Sequence, residues 1–279
     1  GMDIALFAGG SISKDFAPHA VKAGAVVIDN SSAFRMDPDV PLVVPEVNPQ
    51  AILKHKGIIA NPNCSTIIMV MALKPIYDLA KIKRVIVSTY QAVSGAGKEG
   101  IDELDAQVRE HSEGREMTAN ILPSASAEKH YPIAFNLIPQ IDVFCDNLYT
   151  KEEMKMVNET KKIMEDYEMR ITATTIRVPV YRSHSESVNI ELEKEVDLGA
   201  MREALAKFPG VTVQDDPSKQ EYPMPLYTSE KDDVYVGRLR RDESCEKSYN
   251  MWVVGDQIRK GAALNTLQIA ETMIKNGWI

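Results

Sequence analysis

The sequence predicts an α/β chain, a doubly wound parallel sheet followed by a larger α+β segment. Two observations carry this reading. Near the start, short strands alternate with helices, and the strands Asp3–Ala8 and Ala25–Ile28 are continuously apolar, as parallel strands covered on both faces are. From Ile82 onward the strands become longer and richer in β-branched residues, with Arg84–Val93, Arg170–Val180 and Val188–Val196 the clearest. A chain of 279 residues is long enough for two domains and a sizeable core.

Taken in order, the Asp3–Ala8 strand runs into Gly9-Gly10-Ser11, and a helix over Lys14–Ala23 is ended by Gly24. The next strand closes on Asp29-Asn30-Ser31-Ser32. Loops at the carboxyl ends of parallel strands are where ligands bind, so Ala8–Ser11 and Asn30–Arg35 are candidate site loops. Plain turn chemistry from Gly, Asn and Ser is the competing reading. Leu42–Val47 reads as a further strand, with Asn48-Pro49 as cap and first turn of a short helix. Then the apolar run Gly57–Ala60 turns through Asn61-Pro62 into an apolar helix, Ser65–Ala80. That places Cys64 at a helix N-terminus, where unpaired N–H groups and the dipole favour a thiolate. The alternative is a small apolar residue in a core.

After the Arg84–Val93 strand, Ser94–Lys98 is a Gly-rich turn opening the polar helix Glu99–Glu113, a pattern able to cradle phosphate. Residues Gly114–Leu148 are rich in turn formers and read as an irregular excursion. Thr150-Lys151-Glu152-Glu153 is a capping box opening a helix to about Glu165, with Glu152 and Lys155 one turn apart. An ordinary ion pair on a solvated face competes with a functional role there. Arg177 and His184 face one cleft if the segment between them turns, and His184, flanked by small polar residues, is the best base among five histidines. A generic surface-loop histidine is the other reading. Asp197 caps a helix over Ala200–Phe208; Val211–Gln214, Tyr235–Leu239 and Met251–Val254 are strands; Gly255-Asp256-Gln257 leads into an amphipathic helix, Gly261–Asn276.

A net charge of −8 with no Lys/Arg block argues against nucleic acid as the main partner. Apolar runs are too short to span a bilayer, and no signal peptide opens the chain. The three cysteines, Cys64, Cys145 and Cys245, are widely spaced without a CxxC, which suggests a reducing compartment, a cytoplasmic location and no metal site.

Four stretches together are specific: Asn61–Thr66, Ser88–Gly97, Arg177–Val180 with His184–Ser187, and Gly255–Gln257 with Lys260–Ala263. Their order and separation, from Asp3 to Gly277, resemble the bacterial aspartate-β-semialdehyde dehydrogenase family. The resemblance implies a Rossmann-like cofactor domain, here partial over residues 1–63 and completed by 250–279, and an α+β catalytic and dimerisation domain over 64–249. It implies NADP as cofactor and a homodimer or dimer of dimers. It also implies the interconversion of L-4-aspartyl phosphate with L-aspartate-4-semialdehyde and phosphate, within lysine, threonine and methionine biosynthesis. Residue by residue, Cys64 matches the nucleophile, His184 the acid/base and Gln91 the residue that orients the substrate. Arg177 matches the carboxylate clamp, Glu152 the ammonium partner, and Arg35, Asn63 and Lys155 the phosphate pocket. Ser94, Gly95 and Gln257 match cofactor contacts, with Ala8, Gly9 and Asn30 as further candidates from the sheet loops. The family's glycine-rich dinucleotide turn does not occur in the sequence, so a polypeptide starting at Gly1 is expected to bind NADP weakly and to aggregate. Competing readings are N-acetyl-glutamyl-phosphate reductase, a Cys/His hydrolase, and an inactive dimerising fragment.

Overall fold

The computed structural model describes residues 1–279 apart from the side chain of Ser11, so that end of the candidate loop Ala8–Ser11 lies outside the described residues. β1 (Ile4–Phe7), α1 (Ser13–Lys22), β2 (Val26–Asp29) and β3 (Ile58–Ala60) form a βαβ unit and a third strand. The sheet is parallel in the order β1-β2-β3, so Phe7, Asp29 and Ala60 end together at one edge. Gly24, at φ 96°, turns the chain from α1 into β2 in a backbone region that other residues avoid.

Leu42–Val47 does not form the expected strand. Leu42 alone bridges Ala60, and the chain then turns, with the Val47 N–H donating to the Val44 carbonyl at 2.8 Å. Pro45 offers no N–H to continue a ladder. Asn48 braces this turn, its Oδ1 accepting from the Val44 N–H at 2.9 Å and its Nδ2 donating to the Leu42 carbonyl at 2.9 Å. It therefore makes no side-chain cap on the 3₁₀ turn Pro49–Lys54.

α2 (Cys64–Leu79) is capped by Asn63, whose Oδ1 accepts from the Thr66 N–H at 3.2 Å. It is buried on nearly every side from Ser65 to Leu73, which matches a sequence apolar all round rather than along one stripe. Each such Ile, Leu or Met contributes about 1.5–3 kcal/mol by burial. A second, mixed sheet lies against it, built from β4 (Ile82–Gln91), β5 (Arg170–Arg177), β6 (His184–Leu192), β7 (Val211–Val213), β8 (Val234–Arg241) and β9 (Ser248–Gly255). The strand order is β5-β4-β6-β9-β8-β7. Around it sit α3 (Lys98–Ser112), α4 (Lys151–Ile163), α5 (Leu198–Lys207), α6 (Pro225–Thr228) and α7 (Leu264–Lys275). Thr150 and Glu153 form the expected capping box on α4, and Asp197 caps α5.

β6 begins four residues before the expected Val188. The polar run Ser183–Ser187 reads as a turn, yet its backbone pairs with β4 on one side and β9 on the other, whatever the side chains are. The register has a direct consequence for the site. β4 and β5 are parallel and end side by side at Gln91 and Arg177. β6 runs the other way and starts there at His184, opposite Gly255, the last residue of β9. Four strand ends therefore meet at one edge.

The excursion between α3 and α4 is irregular but anchored. Glu103 of α3 accepts from the Asn120 and Ile121 N–H groups, and Gln107 accepts from those of Ile133 and Ala134. β9 does not pass straight into a helix; a π turn, Arg259–Ala263, precedes α7. The buried Lys260 in it donates to Glu46 Oε2 at 2.6 Å and Asn265 Oδ1 at 3.0 Å. Asn265 Nδ2 donates to Asn61 Oδ1 at 2.7 Å, and Asn61 Nδ2 to Asn30 Oδ1 at 2.6 Å. This chain, with Ile269 and Met273 packed against Ile28 and Ile59, fastens α7 to the small sheet. Among the described residues no helix is long and apolar enough to cross a membrane.

Candidate active site

Cys64 is the first residue of α2, on a turn pressed against the π turn, where a Cβ on Gly261 would lie 3.1 Å from the Cys64 Cβ. A cavity of about 410 Å³ opens beside it. Its walls include Cys64, Asn63, Arg35, Gln91, Gly95, Glu152, Lys155 and Arg177, which the structure thus brings together from six separate segments. Ser32, Asp142 and residues 121, 123, 124 and 125 of the excursion close it. A helix start alone does not make the thiol acidic here, contrary to expectation. Burial and then the Glu152 carboxylate push it up to about 12, while Arg35, the Ser65 N–H and Arg177 pull the other way.

α4 presents one stripe to the cavity. Glu152, buried, accepts from Asn63 Nδ2 at 2.9 Å and Gln91 Nε2 at 3.3 Å through Oε1, and from Lys155 Nζ at 3.1 Å through Oε2. Burial opposes its charge, but Lys155 and these donors hold the carboxyl below its ordinary value. Lys155 Nζ also lies 3.0 Å from Asp142 Oδ2; burial lowers its pKa, yet the two carboxylates leave it raised. The pair is therefore part of the cavity wall rather than a solvated face.

Arg177 ends β5 and is buried, its Nη1 donating to the Ala92 carbonyl at 2.7 Å. Burial lowers its pKa, against the pull of Glu152. His184 does not sit on a surface loop; it is fully buried at the head of β6. Its Nδ1 accepts from the Ala92 N–H at 3.1 Å, which assigns the neutral ring's proton to Nε2. Burial and then Arg177 hold the imidazole well below its usual pKa, so the ring is neutral. Among the described residues, His184 Nε2 and Arg177 Nε are buried without a partner. Both side chains lie against Gly95, where a Cβ would meet Arg177 Nη1 at 2.7 Å and His184 Cε1 at 3.1 Å.

Ser94 and Gln257 lie behind this wall: Gln257 Nε2 donates to Ser94 Oγ and its Oε1 accepts from the Ser183 N–H at 2.8 Å. Ala8, Gly9 and Asn30 stand outside the cavity, at the carboxyl ends of β1 and β2. Sequence reasoning missed Asp142, whose place in an irregular loop leaves no periodic signal. It also missed Glu159, seven residues after Glu152, which helical spacing from Glu152 and Lys155 would have found.

The family description "Semialdehyde dehydrogenase, NAD binding domain" matches residues 1–55, and "Semialdehyde dehydrogenase, dimerisation domain" matches residues 73–260. The aspartate-semialdehyde dehydrogenase of Aquifex aeolicus is 58% identical over 282 residues, covering 100% of this chain and 81% of its own length. That of Bacillus subtilis is 54% identical over 277 residues, covering 99% and 80%. The crystal structure of aspartate semialdehyde dehydrogenase II from Vibrio cholerae superposes with a TM-score of 0.93 at 48% identity, over 98% of this chain and 80% of that one. Matches of this identity and extent leave one assignment: the chain belongs to the aspartate-semialdehyde dehydrogenase family.

Proposed function

We propose that the chain catalyses the NADP-dependent interconversion of L-4-aspartyl phosphate with L-aspartate-4-semialdehyde and phosphate, in aspartate-derived amino-acid biosynthesis. The observation that carries this reading is a cysteine thiol sharing one cavity with two separate sets of cations. Arg177 comes from β5; Arg35 and Lys155 come from the loop after β2 and from α4. A substrate with an α-carboxylate and an acyl phosphate needs two such sets.

In the reductive direction the Cys64 sulfur adds to the acyl carbon, the carbon–oxygen bond to phosphate breaks, the thiol proton passes to the departing phosphate, and a thioacyl enzyme forms. NADPH, held by the residues assigned to it below, would supply the hydride that reduces the thioacyl group; the thiohemiacetal on Cys64 then collapses to free the sulfur and release the aldehyde. The residues do the rest. Arg177 holds the α-carboxylate in a planar guanidinium fork, and Glu152 takes the ammonium. Gln91, tied to Glu152, orients the acyl group. Arg35, Asn63 and Lys155 receive the phosphate. His184, neutral and protonated at Nε2, donates to the oxygen that gains charge as the tetrahedral adduct forms.

The residues present fit a dinucleotide. Asp29 Oδ1 and Ser13 Oγ are buried and unpartnered among the described residues, at the carboxyl end of β2 and the start of α1. Ala8, Gly9, Asn30, Ser94, Gly95 and Gln257 are assigned to the cofactor. We divide the chain into an NADP-binding domain, residues 1–63 with 250–279, and a catalytic and dimerisation domain, 64–249; the packing of α7 on the small sheet supports the split. The dimerisation-domain match supports a homodimer; pairing of dimers and a cytoplasmic setting complete the proposal. Glu152 at the cavity wall favours a free ammonium over an N-acetylated substrate.

The test is an assay of NADP reduction with L-aspartate-4-semialdehyde. Reduction that depends on added phosphate is expected; turnover without phosphate, or none with both present, would overturn the reading.

A further inference from the structure

Arg35 is held differently from the other cations of the cavity. Its Nε donates to the Asn61 carbonyl at 2.9 Å, its Nη2 to the Asn30 carbonyl at 3.1 Å, and its Nη1 to Glu159 Oε1 at 3.3 Å. Glu159 lies on α4, on the same stripe as Glu152 and Lys155, and its side chain is only 1% exposed against 11% for Arg35. Its second oxygen, Oε2, accepts from the Asn63 backbone N–H at 2.6 Å. One turn further along α4, Lys162 Nζ donates to the Arg35, Asp37 and Val40 carbonyls at 2.7–2.8 Å. One buried carboxylate thus bridges the guanidinium and the backbone of the residue before Cys64.

We propose that Glu159 is a positioning residue for the phosphate subsite, fixing Arg35 and the Asn63 backbone in one geometry so that phosphate meets a preset cation next to the thiol. The proposal rests on the functional reading above. A guanidinium has five N–H donors; with three engaged, the remaining N–H groups of Nη1 and Nη2 are left to a ligand in an orientation the protein has chosen. An arginine free to swing would pay for that orientation at each binding event. The bridge also needs two acceptor oxygens. A carboxylate has them and an amide has one, with N–H donors in place of the other. Glu159→Gln must therefore abandon either Arg35 or the Asn63 N–H, at nearly unchanged volume.

The experiment measures phosphate-dependent oxidation of the semialdehyde by the wild-type enzyme, Glu159→Gln and Glu159→Asp, beside their thermal melting with and without phosphate. Both variants are expected to raise the KM for phosphate about tenfold, leave the KM for semialdehyde within about twofold, and lose most of the phosphate-induced rise in Tm. If Glu159→Gln does not yield folded protein, Glu159→Asp carries the test, because its shorter carboxylate keeps the charge but cannot reach both partners. Folded variants with wild-type phosphate KM and phosphate-induced Tm shift would overturn the proposal, even if their basal Tm falls. Equal losses in both substrates' KM values would overturn it too. A wild-type enzyme without phosphate-dependent turnover would instead overturn the functional reading, so the two failures are distinguishable.

Discussion

The cavity has a strand wall and a helix wall, and they are built on opposite principles. On the strand wall Arg177 is buried, and His184 lies against Gly95 outside the cavity lining; their Nε and Nε2 are unpartnered among the described residues, and backbone groups of Ala92 take what bonding they have. On the helix wall every cation is matched: Arg35 with Glu159, Lys155 with Glu152 and Asp142. Burying an unpaired guanidinium costs several kcal/mol, and that cost is tolerable where an anion of fixed shape repays it on binding. A matched cation is already stable and offers an arriving anion only the N–H groups its partners leave over. On the proposed assignment of ligands, the strand wall suits strong, selective capture of the amino-acid end, and the helix wall a phosphate that leaves in every turnover.

A graded set of substitutions, two of them cysteine controls, probes this contrast. The largest effect belongs to neither wall: Cys64→Ser should lower kcat on the order of 10⁴-fold or more. Cys145→Ser and Cys245→Ser should stay within about twofold, since both lie away from the cavity. Equal behaviour of the three variants in steady-state assays would remove the nucleophile. Next, His184→Asn should lower kcat by about 10²- to 10⁴-fold with little change in either KM; a KM effect alone would make the ring a binding group. Arg177→Lys should raise the KM for the semialdehyde about 10- to 100-fold and leave that for phosphate unchanged, because an ammonium cannot reproduce the fork. A matching rise in phosphate KM would dissolve the distinction between the walls.

The smallest expected effect is on the resting thiol. Because burial and Glu152 hold Cys64 at about 12, its thiolate fraction, and so its alkylation rate, should climb about tenfold per pH unit between about pH 8 and pH 10. Glu152→Gln removes a negative charge that opposes ionisation, so the pKa falls and alkylation at a fixed pH speeds up, by roughly threefold or more. Alkylation kinetics with iodoacetamide measure both; a rate that levels off near neutral pH, or slows in the variant, contradicts this balance.

Much of the fold was legible because the signals were local. The α4 capping box, the Asp197 cap and the turn at Gly24 depend on residues three or four apart. The site was legible for a different reason: Cys64, Gln91, Arg177 and His184 sit in family-specific runs, not in periodic ones. What failed depended on partners distant in the chain. Leu42–Val47 has strand composition, but Pro45 and the Asn48 side chain turn it. The start of β6 is polar and is made a strand by β4 and β9. The acidity of Cys64 followed the helix rule in sequence and is reversed by the enclosure of the thiol and then by Glu152, eighty-eight residues away in the chain.

The chain of contacts from Lys260 to Asn30 has a sense as well as a strength. A lysine ammonium only donates, so Asn265 must turn its oxygen toward Lys260 and its nitrogen toward Asn61. Asn61 must then turn its nitrogen to the oxygen of Asn30. Three amides that are each symmetric in shape are thereby read in one direction from a single buried charge. At the far end, partly exposed beside the small sheet, Asn30 is left showing N–H donors rather than a carbonyl. A lysine on the C-terminal side of the fold thus sets which way round the amide of Asn30, on the far side of the small sheet, is held.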